Sequence, residues 1–80
     1  MLQKILVIDD DEKLNELLKN YLADFGYKVF SATHPEKGLQ RIHSLKPGLV
    51  ILDVMLPDMS GFEVCKRIRQ DSDVPVIMLT

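Results

Sequence analysis

The sequence predicts an α/β fold in which helices cover both faces of a parallel sheet. Three continuous apolar runs, at 5–8, 49–52 and 74–79, have the length and β-branched content of strands that are buried on both faces. Segments with helical apolar spacing lie between the predicted strands, so strand and helix alternate along the chain. This alternation implies right-handed crossover connections and a single parallel sheet.

The first strand and the helix after it have the clearest boundaries. The run at 5–8 stops at successive aspartates, of which Asp10 or Asp11 can cap the N-terminus of the next helix. Steps of three and four between apolar residues predict a helix with one buried face, formed by Leu14, Leu17, Leu18, Tyr21, Leu22 and Phe25. Gly26 is a natural stop for this helix.

A second strand is predicted over 27–32, and a second helix follows it. Pro35 suits the first turn of that helix, and the turn residues at 46–48 end it. Its apolar stripe consists of Leu39, Ile42 and Leu45. Gly38 inside the helix weakens it by about 1 kcal/mol relative to alanine.

The third strand ends on Asp53, and a third helix follows. Ser60 can cap this helix, whose apolar positions are Phe62, Val64, Cys65 and Ile68. A connection at 71–73 leads into the fourth strand. That strand carries Pro75 near its start, where proline is tolerated, and ends on Thr80.

Polar side chains therefore follow three of the predicted strands. Asp9 and Asp10 come after the first strand, Asp53 after the third and Thr80 after the fourth. In open α/β sheets, ligands bind beyond the carboxyl ends of the strands, near the point where the strand order reverses. We expect these four side chains to converge on one rim of the sheet, although they are distant in sequence.

Converging carboxylates repel one another, which raises their pKa values or recruits a cation. Because the available ligands are hard oxygen atoms, Mg²⁺ or Mn²⁺ is favoured over zinc. A carboxylate can also attack phosphorus to give an acyl phosphate, with the metal offsetting the phosphoryl charge. In the alternative, structural interpretation, Asp10 or Asp11 is only a helix cap, Asp53 is a turn residue and Thr80 is the end of a strand.

Three segments, 5–11, 49–61 and 74–80, together resemble the receiver domain of bacterial two-component response regulators. The resemblance extends over the whole chain in order and in spacing. It implies a flavodoxin-like three-layer fold with strand order 2-1-3-4 for these four strands. It also implies a regulatory domain rather than an enzyme, one that takes a phosphoryl group from a sensor histidine kinase.

The resemblance assigns roles to individual residues. Asp53 would be the phosphoacceptor, Asp10 a direct Mg²⁺ ligand and Asp9 a ligand largely through water. The backbone carbonyl of Met55 would be a further ligand. Thr80 would bond the phosphoryl group and couple it to a conformational switch.

Two other functions stay open at this point. A phosphatase with an aspartyl nucleophile usually carries a second aspartate two residues beyond the nucleophile, where this chain has Met55. A purely structural α/β assembly unit would carry the same aspartates as inert groups. Phosphodonor treatment separates the receiver from the structural unit, and turnover of phosphate monoesters would favour the phosphatase.

The length of the sequence leads to a further expectation. In the family, the chain continues through a helix, a fifth strand and a last helix, and a lysine after the fifth strand pairs with the phosphoacceptor. That lysine is absent from these 80 residues, so we expect 1–80 to be a partial receiver domain without an output domain and with weakened phosphoryl transfer. An exposed fourth strand and uncovered sheet faces would favour self-association or poor folding.

Composition argues against several other classes. The net charge of -2 gives no electrostatic basis for direct nucleic-acid binding. No apolar run approaches the roughly 20 residues of a membrane span, and no signal peptide is visible, so we expect a cytoplasmic location. The single cysteine, Cys65, excludes an intramolecular disulfide and a multi-cysteine zinc site.

Overall fold

A computed structural model describes residues 3–79 of the chain. Strands and helices alternate in the predicted order. The elements are β1 (Lys4–Ile8), α1 (Glu12–Ala23), β2 (Lys28–Ala32), α2 (Pro35–Leu45), β3 (Leu49–Asp53), α3 (Gly61–Asp71) and β4 (Val76–Leu79). Within the described part of the chain, no helix is long and apolar enough to cross a membrane.

The four strands form one parallel sheet in the order β2-β1-β3-β4, which confirms the predicted topology. β1 and β3 lie at its centre, and their register pairs Ile8 with Leu52. Asp53, the last residue of β3, is paired with Leu79 of β4. The carboxyl ends of the two central strands therefore lie side by side on one rim.

Helices cover both faces of the sheet and make three layers. On one face, α2 and α3 enclose a core of Leu6, Ile8, Ile42, Val50, Leu52, Val64, Ile68 and Val74. On the other face, Leu18 and Leu22 of α1 pack against Ile5, Val7 and Val29. β1 and β3 are covered on both faces, which explains why their sequences are continuous apolar runs.

Gly38 continues α2 without interruption because the helix lies directly on β1. A Cβ atom at this position would lie 2.5 Å from Cδ1 of Ile8, a fully buried side chain. A larger residue would push the helix away from the strand. Close packing of α2 on β1 thus offsets the low intrinsic helix propensity of glycine.

The buried face predicted for α1 includes residues that the structure leaves exposed or outside the helix. The helix ends at Ala23, so Phe25 lies in the following turn, where Gly26 adopts a positive φ of 91°. Leu17 and Tyr21 are 65% and 60% exposed, because the sheet contacts only the side of the helix that carries Leu18 and its neighbours.

The connection between α3 and β4 also differs from the prediction. α3 extends to Asp71, and the backbone N–H of Ser72 closes its last turn by donating to Ile68. β4 begins at Val76 rather than Val74, because Pro75 has no N–H for the ladder and only accepts a hydrogen bond there. The side chain of Val74 is nevertheless buried in the core.

Candidate functional site

Three carboxylates meet on the rim where β1 and β3 end. Asp9 and Asp10 follow β1, and Asp53 is the last residue of β3. One oxygen atom from each of these side chains lies within 4.8 Å of the others. The expected convergence of these three residues is observed, because the paired register of β1 and β3 brings their ends to the same level.

Asp9 is the most deeply buried carboxylate of this acidic cluster, with 5% of the residue exposed. Its backbone N–H donates to Ala32 of β2 over 3.0 Å, and its Oδ1 accepts from the N–H of Asp11 over 2.9 Å. Its backbone carbonyl accepts from Nδ2 of Asn15 over 2.8 Å. Both the main chain and the side chain of Asp9 are therefore held in place.

Burial raises the pKa of Asp9 above its ordinary value of 3.8, because desolvation disfavours the charged form. The N–H of Asp11 opposes this effect, and the negative charges of Asp53, Asp10 and Asp11 reinforce it. None of the effects on this pKa comes from a positively charged side chain, so among the described residues the charge of Asp9 is not balanced by a nearby cation.

Asp11, and not Asp10, caps α1. Its Oδ1 accepts from the N–H of Leu14 over 3.1 Å, in the usual geometry of an N-terminal cap. The choice that the sequence left open is thereby decided. Asp10 is exposed and belongs to the acidic cluster, so capping does not explain its presence there.

A tight loop after β3 fixes Asp53. The N–H of Met55 donates to Oδ1 of Asp53 over 3.2 Å, and Met55 and Ser60 form an antiparallel bridge across the loop. The N–H of Gly61 donates to Val54 over 2.6 Å. A Cβ atom on Gly61 would overlap the backbone oxygen of Asp53 and lie 2.8 Å from Cα of Val54. Only glycine allows α3 to begin this close to the strand end.

Two predicted site residues are tested less directly. The backbone of Met55 lies beside the Asp53 carboxylate, while its side chain is 82% exposed. The metal-binding role of its carbonyl stays a prediction. Thr80 lies outside the described residues, so its predicted contact is not described. Its neighbour Leu79 accepts from the N–H of Val54 over 3.1 Å at the same rim.

The donor set fits a hard divalent cation. Within residues 3–79 the cluster offers carboxylate oxygens only, without histidine or cysteine. Two oxygens bound to one Mg²⁺ at about 2.1 Å are at most about 4.2 Å apart. A small side-chain movement, or a water molecule between one carboxylate and the ion, accommodates separations of up to 4.8 Å. Asp9, Asp10 and Asp53 could therefore hold Mg²⁺ or Mn²⁺.

Asn15 is a site residue that the sequence reasoning missed. It is 4% exposed and lies behind Asp9, although the hydrogen bond joins residues six apart in the chain. A signal was available, since Asn15 is three and seven residues before Leu18 and Leu22 and so shares their buried face. A polar side chain on the sheet-facing side of a helix needs a hydrogen-bond partner.

Comparison with known proteins agrees with this geometry. The sequence profile described as response regulator receiver domain matches residues 5–80. The chain belongs to this family. The resemblance found in the sequence is thereby confirmed, as is the expectation of a regulatory domain: similar proteins are named as transcriptional regulators and sensory transduction proteins rather than as enzymes.

Relatives of this receiver domain are considerably longer than 80 residues. The chain is 46% identical to the alkaline phosphatase synthesis transcriptional regulatory protein PhoP of Bacillus subtilis, over 100% of this chain and 34% of that protein. It is 44% identical to "Probable transcriptional regulator ycf27" of Guillardia theta, over 98% of this chain and 31% of that protein. The chain thus spans about a third of the length of these relatives.

Solved structures share the fold closely. The N-terminal domain of a response regulator receiver protein from Methanoculleus marisnigri superposes with a TM-score of 0.94 at 36% identity, covering 100% of this chain and 68% of that one. The crystal structure of histidine kinase ThkA in complex with response regulator protein TrrA contains a chain with a TM-score of 0.92 at 40% identity, covering 99% of this chain and 69% of that one.

Proposed function

We propose that this receiver domain accepts a phosphoryl group on Asp53 from a sensor histidine kinase, with Mg²⁺ held by Asp9, Asp10 and Asp53. The observation that carries the proposal is the acidic cluster, because a cation beside three carboxylates within 4.8 Å of one another would relieve their mutual repulsion. A receiver in complex with a histidine kinase is known among similar structures, which supports this class of partner.

Asp53 is suited to act as the nucleophile. The N–H of Met55 holds Oδ1, so the second carboxylate oxygen is the one directed to attack. That oxygen forms a bond to phosphorus while the bond from phosphorus to the imidazole nitrogen of the kinase histidine breaks. The imidazole keeps the electron pair and takes a proton from solvent, and Asp53 becomes an acyl phosphate.

The remaining residues of the site would stabilise the charge that this transfer brings to the rim. A bound Mg²⁺ would supply positive charge to the phosphoryl oxygens. Asp9 and Asp10 would hold the ion, with the carbonyl of Met55 as a further ligand. The hydroxyl of Thr80 would donate a hydrogen bond to the phosphoryl group and so couple phosphorylation to a conformational change.

The test is to incubate the 80-residue chain with a small-molecule acyl phosphate and Mg²⁺ and to measure its intact mass. We expect the mass of one phosphoryl group to be added in the wild type and to be lost on treatment with hydroxylamine, which cleaves acyl phosphates. Asp53→Asn should abolish the modification, and chelation of Mg²⁺ should prevent it.

Asp58→Asn is the matched control, because Asp58 is an exposed aspartate in the loop that follows Asp53. It should be phosphorylated like the wild type. Modification that persists in Asp53→Asn would contradict the assignment of the phosphoacceptor. A folded wild type that takes up no phosphoryl group would contradict the proposed function of the chain.

A further inference from the structure

Asn15 is a buried polar residue in the second turn of α1. It lies on the sheet-facing side of the helix, which otherwise carries Leu18 and Leu22. Its Nδ2 donates to the backbone carbonyl of Asp9 over 2.8 Å. Its Oδ1 is buried and has no hydrogen-bond partner among the described residues. The bonded Nδ2 therefore stabilises the folded chain, whereas the unpartnered Oδ1 destabilises it.

The unpartnered half is costly. A carbonyl oxygen that is removed from water without a partner raises the free energy of the folded state. A leucine has the same number of side-chain heavy atoms, would continue the apolar side of α1 and would avoid that cost, although its methyl groups are bulkier and it would leave the Asp9 carbonyl without this donor. Packing alone therefore does not explain an asparagine here. The favourable contribution of this side chain therefore comes from its Nδ2 donor, which binds the backbone carbonyl of Asp9.

The partner of that donor is the backbone of a cluster residue. The N–H of Asp9 is held by Ala32 of β2, and its carboxylate is oriented by the N–H of Asp11. Among the hydrogen bonds of residues 3–79, the one from Asn15 is the only bond to Asp9 that comes from within α1. It ties the helix to the turn that carries Asp9 and Asp10.

We propose that Asn15 is a positioning residue, which holds the backbone carbonyl of Asp9 and thereby sets the affinity of the acidic cluster for a divalent cation. This inference rests on the proposed function, because it concerns the same cation. Groups that orient metal ligands without touching the metal commonly account for about 10–100-fold in affinity. Asn15 acts in this way through the main chain of Asp9 rather than through its carboxylate.

The test compares Asn15→Leu with Asn20→Leu, an identical change at an exposed position of the same helix. The dissociation constant for Mg²⁺ is measured by titration of amide NMR shifts, and stability by urea denaturation in EDTA. Asn15→Leu should bind Mg²⁺ about tenfold more weakly or worse, yet remain folded under the urea-free conditions of the titration. Asn20→Leu should bind Mg²⁺ like the wild type.

Unchanged Mg²⁺ affinity in folded Asn15→Leu would overturn the assignment. So would a loss of affinity that only follows a loss of stability, since that result describes a packing residue. If the wild type itself binds no Mg²⁺, the proposed function fails, and a metal-independent measurement decides the role of Asn15. Solvent exchange of the Asp11 amide, which donates to Asp9 Oδ1, should be faster in Asn15→Leu; an unchanged rate would overturn the inference.

Discussion

At the scale of single residues, the burial of Asp9 has opposite effects on stability and on cation binding. The carboxylate is almost fully buried and faces other negative charges, so its ionisation is less favourable in the folded chain than in the unfolded chain. A carboxylate with this environment gains most from a bound divalent ion. The same environment that would make Asp9 a good metal ligand therefore makes the metal-free fold less stable.

Asp9→Asn should stabilise the metal-free chain at neutral pH. Because the pKa of Asp9 is raised above 3.8 on folding, the stability that this group gives to the protonated fold is present below pH 3.8 and is lost as the pH rises through the raised pKa. Asparagine keeps an acceptor for the Asp11 N–H without a charge. We expect a gain of about 0.5–2 kcal/mol in the free energy of unfolding, measured by urea denaturation in EDTA near neutral pH.

The pH dependence provides the check on that prediction. The difference between Asp9→Asn and the wild type should shrink towards zero below pH 3.8, where both carry a neutral group. Asp73→Asn, in the exposed connection before β4, should change stability little at neutral pH. A wild type that is as stable as Asp9→Asn at neutral pH would show that the buried charge is compensated within the chain.

Gly61→Ala should disturb the site through the backbone. Its Cβ would overlap the main chain at Asp53 and Val54, and neither can move without shifting β3. We expect a loss of about 1–3 kcal/mol in the free energy of unfolding, as for other overpacked sites. Urea denaturation measures the loss, and the NMR shift of the Asp53 amide should move as well.

Gly48→Ala is the matched control for Gly61→Ala. At that position the closest atom to an added Cβ is Oε1 of the exposed Gln3 side chain, 2.9 Å away, which can rotate aside. We expect a change within about 0.5 kcal/mol. If both alanine variants were equally stable, the close approach of α3 to the strand end would not be a constraint.

The sequence predicts some of these residues well and others poorly, for a physical reason. Asp9, Asp10 and Asp53 could be brought together because each ends or directly follows a strand, and parallel strands share one rim. Asn15 could not be assigned to Asp9, because the helical pattern shows which side of α1 it occupies but not what lies at its end. Whether Asp10 or Asp11 caps α1 likewise depends on backbone angles that the sequence does not specify.

At the scale of elements, the three helices begin in different ways. Asp11 caps α1 and Ser60 caps α3, each through a side-chain oxygen that accepts a backbone N–H. His34 precedes α2 with the extended backbone of a cap residue but makes no side-chain capping bond. The start of α2 is therefore the least satisfied of the three described helix starts.

His34→Asp should stabilise the chain by completing this cap. An aspartate at this position can accept an N–H of the first turn of α2, and its charge suits a helix N-terminus. We expect a gain of about 0.5–1 kcal/mol by urea denaturation. Ser60→Ala should lower stability by about 1 kcal/mol, because it removes the oxygen that accepts the N–H of Glu63 at the start of α3. No gain in His34→Asp, alongside a loss in Ser60→Ala, would show that α2 is fixed by Pro35 and by packing instead.

The ends of helices and strands are predicted less well than their order. The strand runs and the three helices were predicted in the right order, since apolar periodicity reports which side faces the core. Phe25 was assigned to α1 because its spacing fits the helix, whereas the left-handed Gly26 requires the chain to turn first. Val74 is apolar and buried like a strand residue, yet the missing N–H of Pro75 delays pairing until Val76.

At the scale of the whole molecule, one side of the sheet is less covered than the other. Leu49 and Ile51 of β3 are only half-buried on the α1 side, and Ile77 of β4 is 51% exposed. Within the described residues, β4 pairs with β3 alone, so its outer edge has unpaired backbone groups. An apolar face beside an open strand edge is a surface on which chains associate.

We therefore predict that the 80-residue chain on its own self-associates. Sedimentation velocity over a range of concentrations should show a dimer or larger species that dissociates on dilution. Ile77→Lys should weaken association by about tenfold or more, near 1.4 kcal/mol, because a charge at this edge opposes strand pairing. Phe62→Lys changes an even more exposed apolar residue, on α3, and should have little effect.

A monomer at all concentrations would contradict this prediction. An equal loss of association in Phe62→Lys and Ile77→Lys would show instead that the contact is unspecific.

The acidic cluster draws its members from two strands that meet only after the chain has crossed over the sheet twice. An unfolded chain has no such arrangement, so a divalent cation that binds the cluster binds the native state alone. Such a ligand adds RT ln(1 + [L]/Kd) to stability, or about 2.7 kcal/mol at 100 times its Kd. The ion would then stabilise the native state from the rim where the two central strands end, and the folded fraction of this small chain would follow the concentration of the ion.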